Sequence, residues 1–359
     1  MIGHNPELRL GVTAADETFA PTPNKSPALP SINWNLVGQQ APVLAKTPAG
    51  QLPKASAVVI TWASAEWAAM EHVFCSGGTA MPYSDRSNGS WSGWQKFDQN
   101  LAANPPSGWS YWGYYRLIEI AGRTVLLCKS NTHLDFPGAT YLQAMIKLII
   151  TQVKPNLILS IGTAGGAKIQ DHVGTVRAVS AGTLDKSGVP PAQWPDYSNN
   201  WKAGQTTRNN PGFNKLLFPI PTSAGDLQSI CSQFNQHYGT NYQLAQLDPN
   251  NLNLGDASPQ IDDQTGGAES LLTTSSFVVG TTSGNYNQYA CIEMDDAIIG
   301  ETCKAAAVAF GFVRNVSDPV QNAALPPKVQ GNWGSAIYSA YGFYTSYNGA
   351  LVAWAMLVG

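Results

Sequence analysis

The chain has 359 residues, long for one domain and short for two, and 43% of them are hydrophobic, which is ample for a core. Charged residues make up only 12%, against a usual share of roughly 25%, so the surface is polar but weakly charged. The net charge of −3 gives no broad positive field of the kind a nucleic-acid polymer would need.

The five cysteines are scattered, without a C-x-x-C pair, and read as reduced thiols. The histidines form no metal-ligand cluster, nothing calls for a cofactor, and no run of about 18 apolar residues suggests a membrane span. The first residues, MIGHNPELRL, lack a basic region followed by an apolar run, so the expected compartment is the cytoplasm.

Residues 1–53 are rich in proline and poor in periodicity, and are expected to form an extended N-terminal arm ahead of one domain spanning 54–359. AVVITWA (57–63) reads as a buried strand, followed by a helix in which Trp67, Met70, Val73 and Phe74 recur at helical spacing. A first insertion, about 76–110, carries Trp91, Trp94 and Trp109, with Trp112 just beyond it. Local packing is the plainer reading of these aromatics, and ligand stacking the alternative. YYRLIEI and RTVLLCKS flank Ala121-Gly122 as a hairpin.

The pattern of Gly138 to Val153 is an amphipathic helix that stops before Lys154-Pro155, and NLILSIG is again a buried strand. Strand, helix and strand in succession predict a parallel sheet. A second insertion, about 185–274, is Asn/Gln-rich with helical hints only at 224–238. FVVG (277–280) is then expected to resume the sheet. DDAIIGETCKAAAVAFG should form a helix closed by Gly311, FVRNVSD a strand, and the apolar segment from Ser335 a terminal helix. The predicted class is α/β, a single-domain three-layer α/β/α fold around a mixed, largely parallel twisted sheet.

Ligands of open α/β sheets bind beyond the carboxyl ends of strands, and four places there carry chemistry. Gly162-Thr163-Ala164-Gly165-Gly166 exposes backbone N–H groups to an anion or a sugar oxygen, although such a turn is often plain strand-to-loop geometry. Arg314-Asn315-Val316-Ser317-Asp318 ends a strand with an acid able to protonate a leaving group if it is partly buried. Alone, that aspartate would read as a turn residue. Glu293-Met294-Asp295-Asp296 precedes a helix, where carboxylates also serve the helix dipole. Glu66 lies just beyond the first strand.

Together, KPNLILSIGTAGG with the later VGTVRAV, and CIEMDDAIIGETCKAAAVAFGFVRNVSD, resemble the nucleoside phosphorylase superfamily. That superfamily includes purine nucleoside and uridine phosphorylases and the methylthioadenosine/S-adenosylhomocysteine nucleosidases. The resemblance implies that Asp318 protonates the purine N7 and that Arg314 orients the acidic loop containing Ser317. It places Met294 beneath the ribose, and Asp295, beside Glu293, where a glutamate usually holds the sugar hydroxyls. It implies further that Glu66 helps position the attacking water and that Thr163, with Ala164 and Gly165, lines the nucleophile site. A homo-oligomer is implied as well, its number unspecified.

The sequence also departs from the family pattern. Ser160 stands where bacterial-type phosphorylases carry a phosphate-gripping arginine, which favours water as nucleophile; Arg116, Arg123 or a neighbouring subunit are the alternative sources of charge. Asp295 is one methylene shorter than the usual glutamate. Ser130-Asn131-Thr132-His133 replaces a Gly-rich turn, making His133 and Asp135 candidate specificity residues, and Tyr286 is the candidate base-stacking aromatic. The leading reading is a purine nucleosidase acting on a nucleoside or nucleotide. A phosphate-dependent phosphorylase and a non-catalytic nucleoside sensor are the alternatives.

Overall fold

A computed structural model of the chain describes residues 19–85, 92–185, 196–198, 212–249, 260–264, 269–275 and 277–358. Trp91 and parts of both insertions lie outside the described residues. Residues 19–53 run along the body: Leu29 bridges to Met81, Trp34 packs on Trp354 at 4.5 Å, and β1 (Val43–Leu44) pairs with a later strand.

The apolar run expected at 57–63 forms β2 (Ala57–Thr61), buried throughout, and leads into α1 (Ser64–Cys75). β3 (Gln95–Phe97) follows. The hairpin β4 (Gly113–Ile120) and β5 (Arg123–Ser130) turns through Ala121 (φ 49°) and Gly122 (φ 74°). Two positive φ values in a two-residue loop match the right-handed twist of the flanking strands, and the glycine adopts one at no steric cost. α2 (Ala139–Val153) is closed by Lys154 in the left-handed region, after which Pro155 cannot continue the helix.

β6 (Leu157–Gly165), β7 (Val176–Val179), β8 (Ala181–Leu184) and β9 (Asp196–Ser198) come next. Within the second insertion lie α3 (Ala224–Tyr238), where helical hints stood, α4 (Leu244–Leu247), β10 (Ile261–Gln264) and β11 (Leu271–Thr273). The chain closes with β12 (Ile292–Glu293), α5 (Asp296–Ala305), β13 (Ala309–Asp318) and α6 (Pro327–Val358).

The thirteen described strands form one mixed sheet, ordered β1-β4-β5-β2-β6-β12-β11-β8-β9, with β13 on β6, β7 on β13, β10 on β7 and β3 on β4. β5, β2, β6 and β13 run parallel at its centre. Side-chain alternation splits the core into two layers. Val59, Leu159, Ile161 and Val313 face α1 and α6, whereas Ile60, Ile158, Phe310 and Phe312 face α2 and α5. The three-layer α/β/α class expected from the sequence is the one observed. Among the described residues no helix is long and apolar enough to cross a membrane.

Three element expectations are corrected. FVVG is irregular, not a strand: a Cβ on Gly280 would lie 2.4 Å from the Gly166 carbonyl, so this segment packs backbone against backbone. The helix before β13 stops at Ala305, and Ala307 (φ 55°) turns the chain. Residues 309–311 pair with Leu157 to Leu159, so the sheet takes them from the helix. α6 begins at Pro327, eight residues before Ser335, with proline at the first helical position where its missing N–H costs nothing.

The described tryptophans of the first insertion, Trp94 and Trp109, pack into the body. Trp94 meets Trp67 edge-on at 5.9 Å and donates to Glu71 Oε1 at 2.9 Å, and Trp109 meets Trp112 at 4.8 Å.

Candidate active site

Because β5, β2, β6 and β13 are parallel, their carboxyl ends share one edge of the sheet. A cleft of about 680 Å³, counting open solvent at its mouth, lies there, within the size range of small-molecule sites. Glu66, His133, Thr163, Ala164, Gly165, Glu293, Met294, Asp295, Arg314 and Asp318 all line it. Three of the sequence-predicted residues do not: Asp135, Tyr286 and Ser317. Tyr286 packs with Ala167, Leu272, Tyr289 and Ile292 in a separate apolar cluster, and Ser317 is fully buried beside Asp318.

Glu66 sits in the first turn of α1 and is a saturated acceptor. Its Oε2 receives Thr61 Oγ1 (3.0 Å), Trp62 N (3.1 Å) and Ala63 N (2.9 Å), and its Oε1 receives the N and Oγ1 of Thr163, each at 2.7 Å. Burial raises the pKa of this carboxyl, but the Arg314 charge and these hydrogen bonds outweigh it, so Glu66 is held below the usual carboxylate range.

Arg314 lies opposite Gly162 in the β13–β6 register. Its Nε donates to Asp296 Oδ2 at 2.7 Å, and its Nη2 to Asp296 Oδ1 at 2.6 Å and Ser160 Oγ at 2.9 Å, with Glu293 Oε2 3.2 Å away. The guanidinium lies 5.3 Å over the Trp62 ring. It therefore ties the start of α5 to the sheet, and its hydrogen bonds and ion pairs go to Asp296, Ser160, Glu293 and Thr163 O, not to the Ser317–Asp318 loop it was expected to orient. Ser160 is itself buried and donates to Asp296. A serine on an otherwise apolar strand face is explained by this bond.

Gly162 makes the arrangement possible. A Cβ there would lie 2.6 Å from Arg314 Nη1 and 2.9 Å from Glu66 Oε1. Gly162→Ala is thus expected to lower stability by about 1–3 kcal/mol through overpacking of a polar cluster. The measurement is the urea midpoint, which should fall at unchanged m-value; an unchanged midpoint would mean that the cluster has room.

Glu293 accepts from the backbone N–H groups of Asp295 (2.6 Å) and Asp296 (3.0 Å) and from the Thr273 hydroxyl. Burial, then the neighbouring Asp296 charge, pushes it up. Asp295 accepts Leu134 N at 2.9 Å and faces His133 Nε2 at 3.1 Å. Burial lifts it to about 6 against the lowering effect of His133 and Arg314.

Asp318 ends β13 just after a register shift at Val316/Asp318, a bulge of the kind that re-aims a side chain beside a site. It is 8% exposed, and burial, aided by the Glu66 charge and opposed by the Ser317 hydroxyl, pushes its carboxyl up to about 8. The remaining wall is apolar: Trp62, Phe277, Val278, Ile292 and Tyr338.

Sequence reasoning missed Phe277, Tyr338, Thr274 and the role of Asp296. Tyr338 lies on α6 among many buried aromatics, with no local signal to separate it from them. Among the described residues no group of three His, Cys, Asp or Glu side chains is placed to hold a metal.

No family model matches the chain, and no curated protein matches it by sequence. Solved structures do. One is the 5'-methylthioadenosine/S-adenosylhomocysteine nucleosidase of Neisseria meningitidis, 13% identical over 84% of this chain and 99% of that one, with a TM-score of 0.45. Others are the futalosine hydrolase of Helicobacter pylori strain 26695 (9%, 84% and 97%, TM-score 0.44) and the Campylobacter jejuni 5'-methylthioadenosine/S-adenosyl homocysteine nucleosidase (11%, 85% and 99%, TM-score 0.43).

Proposed function

We propose that this cleft cleaves the N-glycosidic bond of a purine nucleoside or a related nucleotide, with water as the nucleophile. The observation that carries the reading is the pair of opposed carboxyls in one cleft. Burial keeps Asp318 protonated near neutral pH, while Arg314 and five hydrogen bonds keep Glu66 ionised. Environments that push two carboxyls apart in this way assign an acid and an anion.

Breaking the bond leaves positive charge on the sugar and negative charge on the base. Asp318 gives its proton to the departing base as the C–N bond breaks. Glu66 and the Asp295 carboxylate favour the electron-poor sugar, so both contributions grow in the transition state. Water forms the new C–O bond, and the proton it releases restores Asp318. With its oxygens already filled, Glu66 acts through its charge and by fixing Thr163, which orients the water; it does not take the water's proton.

The base half is Asp318 with Phe277 and Tyr338. A Cβ added to Gly334 would lie 3.7 Å from Asp318 Cβ and 3.8 Å from Phe277 Cζ, so ring and acid are neighbours. These aromatics take the stacking role expected of Tyr286. Met294, Asp295 and His133 form the sugar half.

Water is favoured over phosphate because Arg314, the lysine or arginine among the described lining residues, is already bound to Asp296, Glu293 and Ser160. Arg116 pairs with Glu71 at 3.6 Å outside the cleft, and Arg123 is exposed at the hairpin tip. In phosphate-free buffer the purified protein is expected to release adenine from adenosine, followed by chromatography. Release that depends strictly on phosphate, with ribose 1-phosphate as co-product, would replace hydrolysis by phosphorolysis, and no base from a broad panel of purine nucleosides and nucleotides would refute both.

A further inference from the structure

The two departures of this sequence at the sugar side, an aspartate at position 295 and a histidine in place of a Gly-rich turn, touch each other. His133 stands on the loop after β5, its Nε2 3.1 Å from Asp295 Oδ2 and its Nδ1 2.9 Å from Asp135 Oδ1. The loop is pinned by its own backbone, with His133 N donating to Phe136 O (2.9 Å) and Gly138 N to His133 O (3.2 Å). The next residue, Leu134, donates its N–H to the other oxygen of Asp295 at 2.9 Å. The imidazole side chain is 12% exposed and that of Asp295 3%.

We infer that His133, held between Asp135 and Asp295, is a positioning residue that aims the Asp295 carboxylate at the paired hydroxyls of a ribose. The inference rests on the nucleoside reading of the cleft. A neutral imidazole has one N–H and one bare lone pair, and here each ring nitrogen faces a carboxylate oxygen. These are ion-pair distances, and Nδ1 and Asp135 Oδ1 are not aligned as a hydrogen bond; only the imidazolium, with its positive charge, is attracted to both carboxylates.

Leu134 N donates to one oxygen of Asp295 and the His133 ring stands at ion-pair distance from the other, which leaves acceptor capacity on both oxygens for a vicinal diol. Loss of the ring proton turns one contact repulsive and frees Asp295 to rotate. The charged groups facing the ring are Asp135 on its own loop, Asp295 at the start of α5 and Glu293 at the end of β12; Arg314 and Asp296 act on Asp295. Burial opposes the imidazolium, but the carboxylates outweigh it and hold His133 above its ordinary 6.5. The sign follows. Sugar recognition is present above about pH 6, where Asp295 ionises, and weakens as pH rises through the raised His133 value, and removing Asp135 moves that loss to lower pH.

The test pairs ¹⁵N NMR titration of the histidine rings with calorimetric binding of formycin A, an adenosine analogue whose carbon–carbon glycosidic bond is not cleaved. Wild type should show a His133 midpoint above 6.5, and Asp135→Asn a lower one. The variant should lose formycin A affinity by about tenfold or more between pH 6.5 and pH 8, as expected for a charge-assisted bond, while wild type loses less and adenine affinity changes equally in both.

If formycin A binds but the midpoint and the pH dependence are the same in both proteins, the positioning role is overturned and the nucleoside reading stands. If the midpoint is raised in wild type but formycin A does not bind, the nucleoside reading fails, and the sugar role of His133 with it.

Discussion

Asp318→Asn is expected to lower the rate of base release by about 10²- to 10⁴-fold, the usual contribution of a general acid, with KM changed far less. The amide fills the same space beside Phe277 but has no acidic proton to give. The wild-type rate should hold below pH 8 and fall as pH rises through about 8, where Asp318 ionises, and a rate–pH profile measures this directly.

Stability should move the other way. A carboxyl whose folded value is raised from 3.8 to about 8 contributes stability that is fully present below its unfolded value and is lost as pH rises toward the folded one. Asp318→Asn removes that loss, so the variant should melt higher than wild type at pH 8 and above. A variant that loses activity and also melts lower there would point to structural damage and against a buried proton donor.

Arg314→Met is expected to destabilise the protein by about 3–5 kcal/mol, the cost of leaving buried charge without its partner. Asp296 is fully buried and receives two N–H bonds from the guanidinium, and Glu293 lies 3.2 Å from the same group. Removing the cation leaves both carboxyls facing Ser160 and each other. The lowering effect of Arg314 on Glu293 is then lost, so Glu293 takes up its proton at higher pH, the deficit should shrink as pH falls, and urea unfolding at pH 5 and pH 8 reads this slope. Arg314→Lys keeps the charge but loses the planar fork, so it should recover only part of the stability. Equal stability of wild type and Arg314→Met at pH 8 would show that Asp296 is compensated by something other than Arg314.

What was legible in the sequence has a physical reason. β2, β6 and the hairpin were readable because Ala57 to Thr61 and Leu157 to Ile161 are continuous apolar runs and Ala121-Gly122 has turn chemistry. These are local properties that tertiary contacts reinforced. The cluster at 293–296, Arg314 and Asp318 stood out because charged groups rarely occur beside buried strands.

The end of α5 was not readable, because Ala305 to Phe310 is apolar in either secondary structure and only the register with β6 decides it. The wall formed by Phe277 and Tyr338 was hidden for the same reason. Both reach the cleft through contacts between segments far apart in sequence, and the FVVG pattern pointed to a strand. The link between Arg314 and Asp296 was not readable, because Asp296, the last residue of the acidic motif, has the position of a helix-start charge and its partner lies 18 residues away in sequence.

The lining of the cleft begins at Trp62 and ends at Tyr338, so its walls are supplied by nearly the whole length of the chain. No shorter fragment carries both the anion and the ring that closes the far side. A ligand seated there binds only when β2 and the last helix have met, and its binding energy, RT ln(1 + [L]/Kd), is added to the folding of all three layers at once. Resistance to proteolysis should therefore rise together across distant cleavage sites as adenine or a nucleoside is added, making the small molecule a reporter of when assembly of the polypeptide is complete.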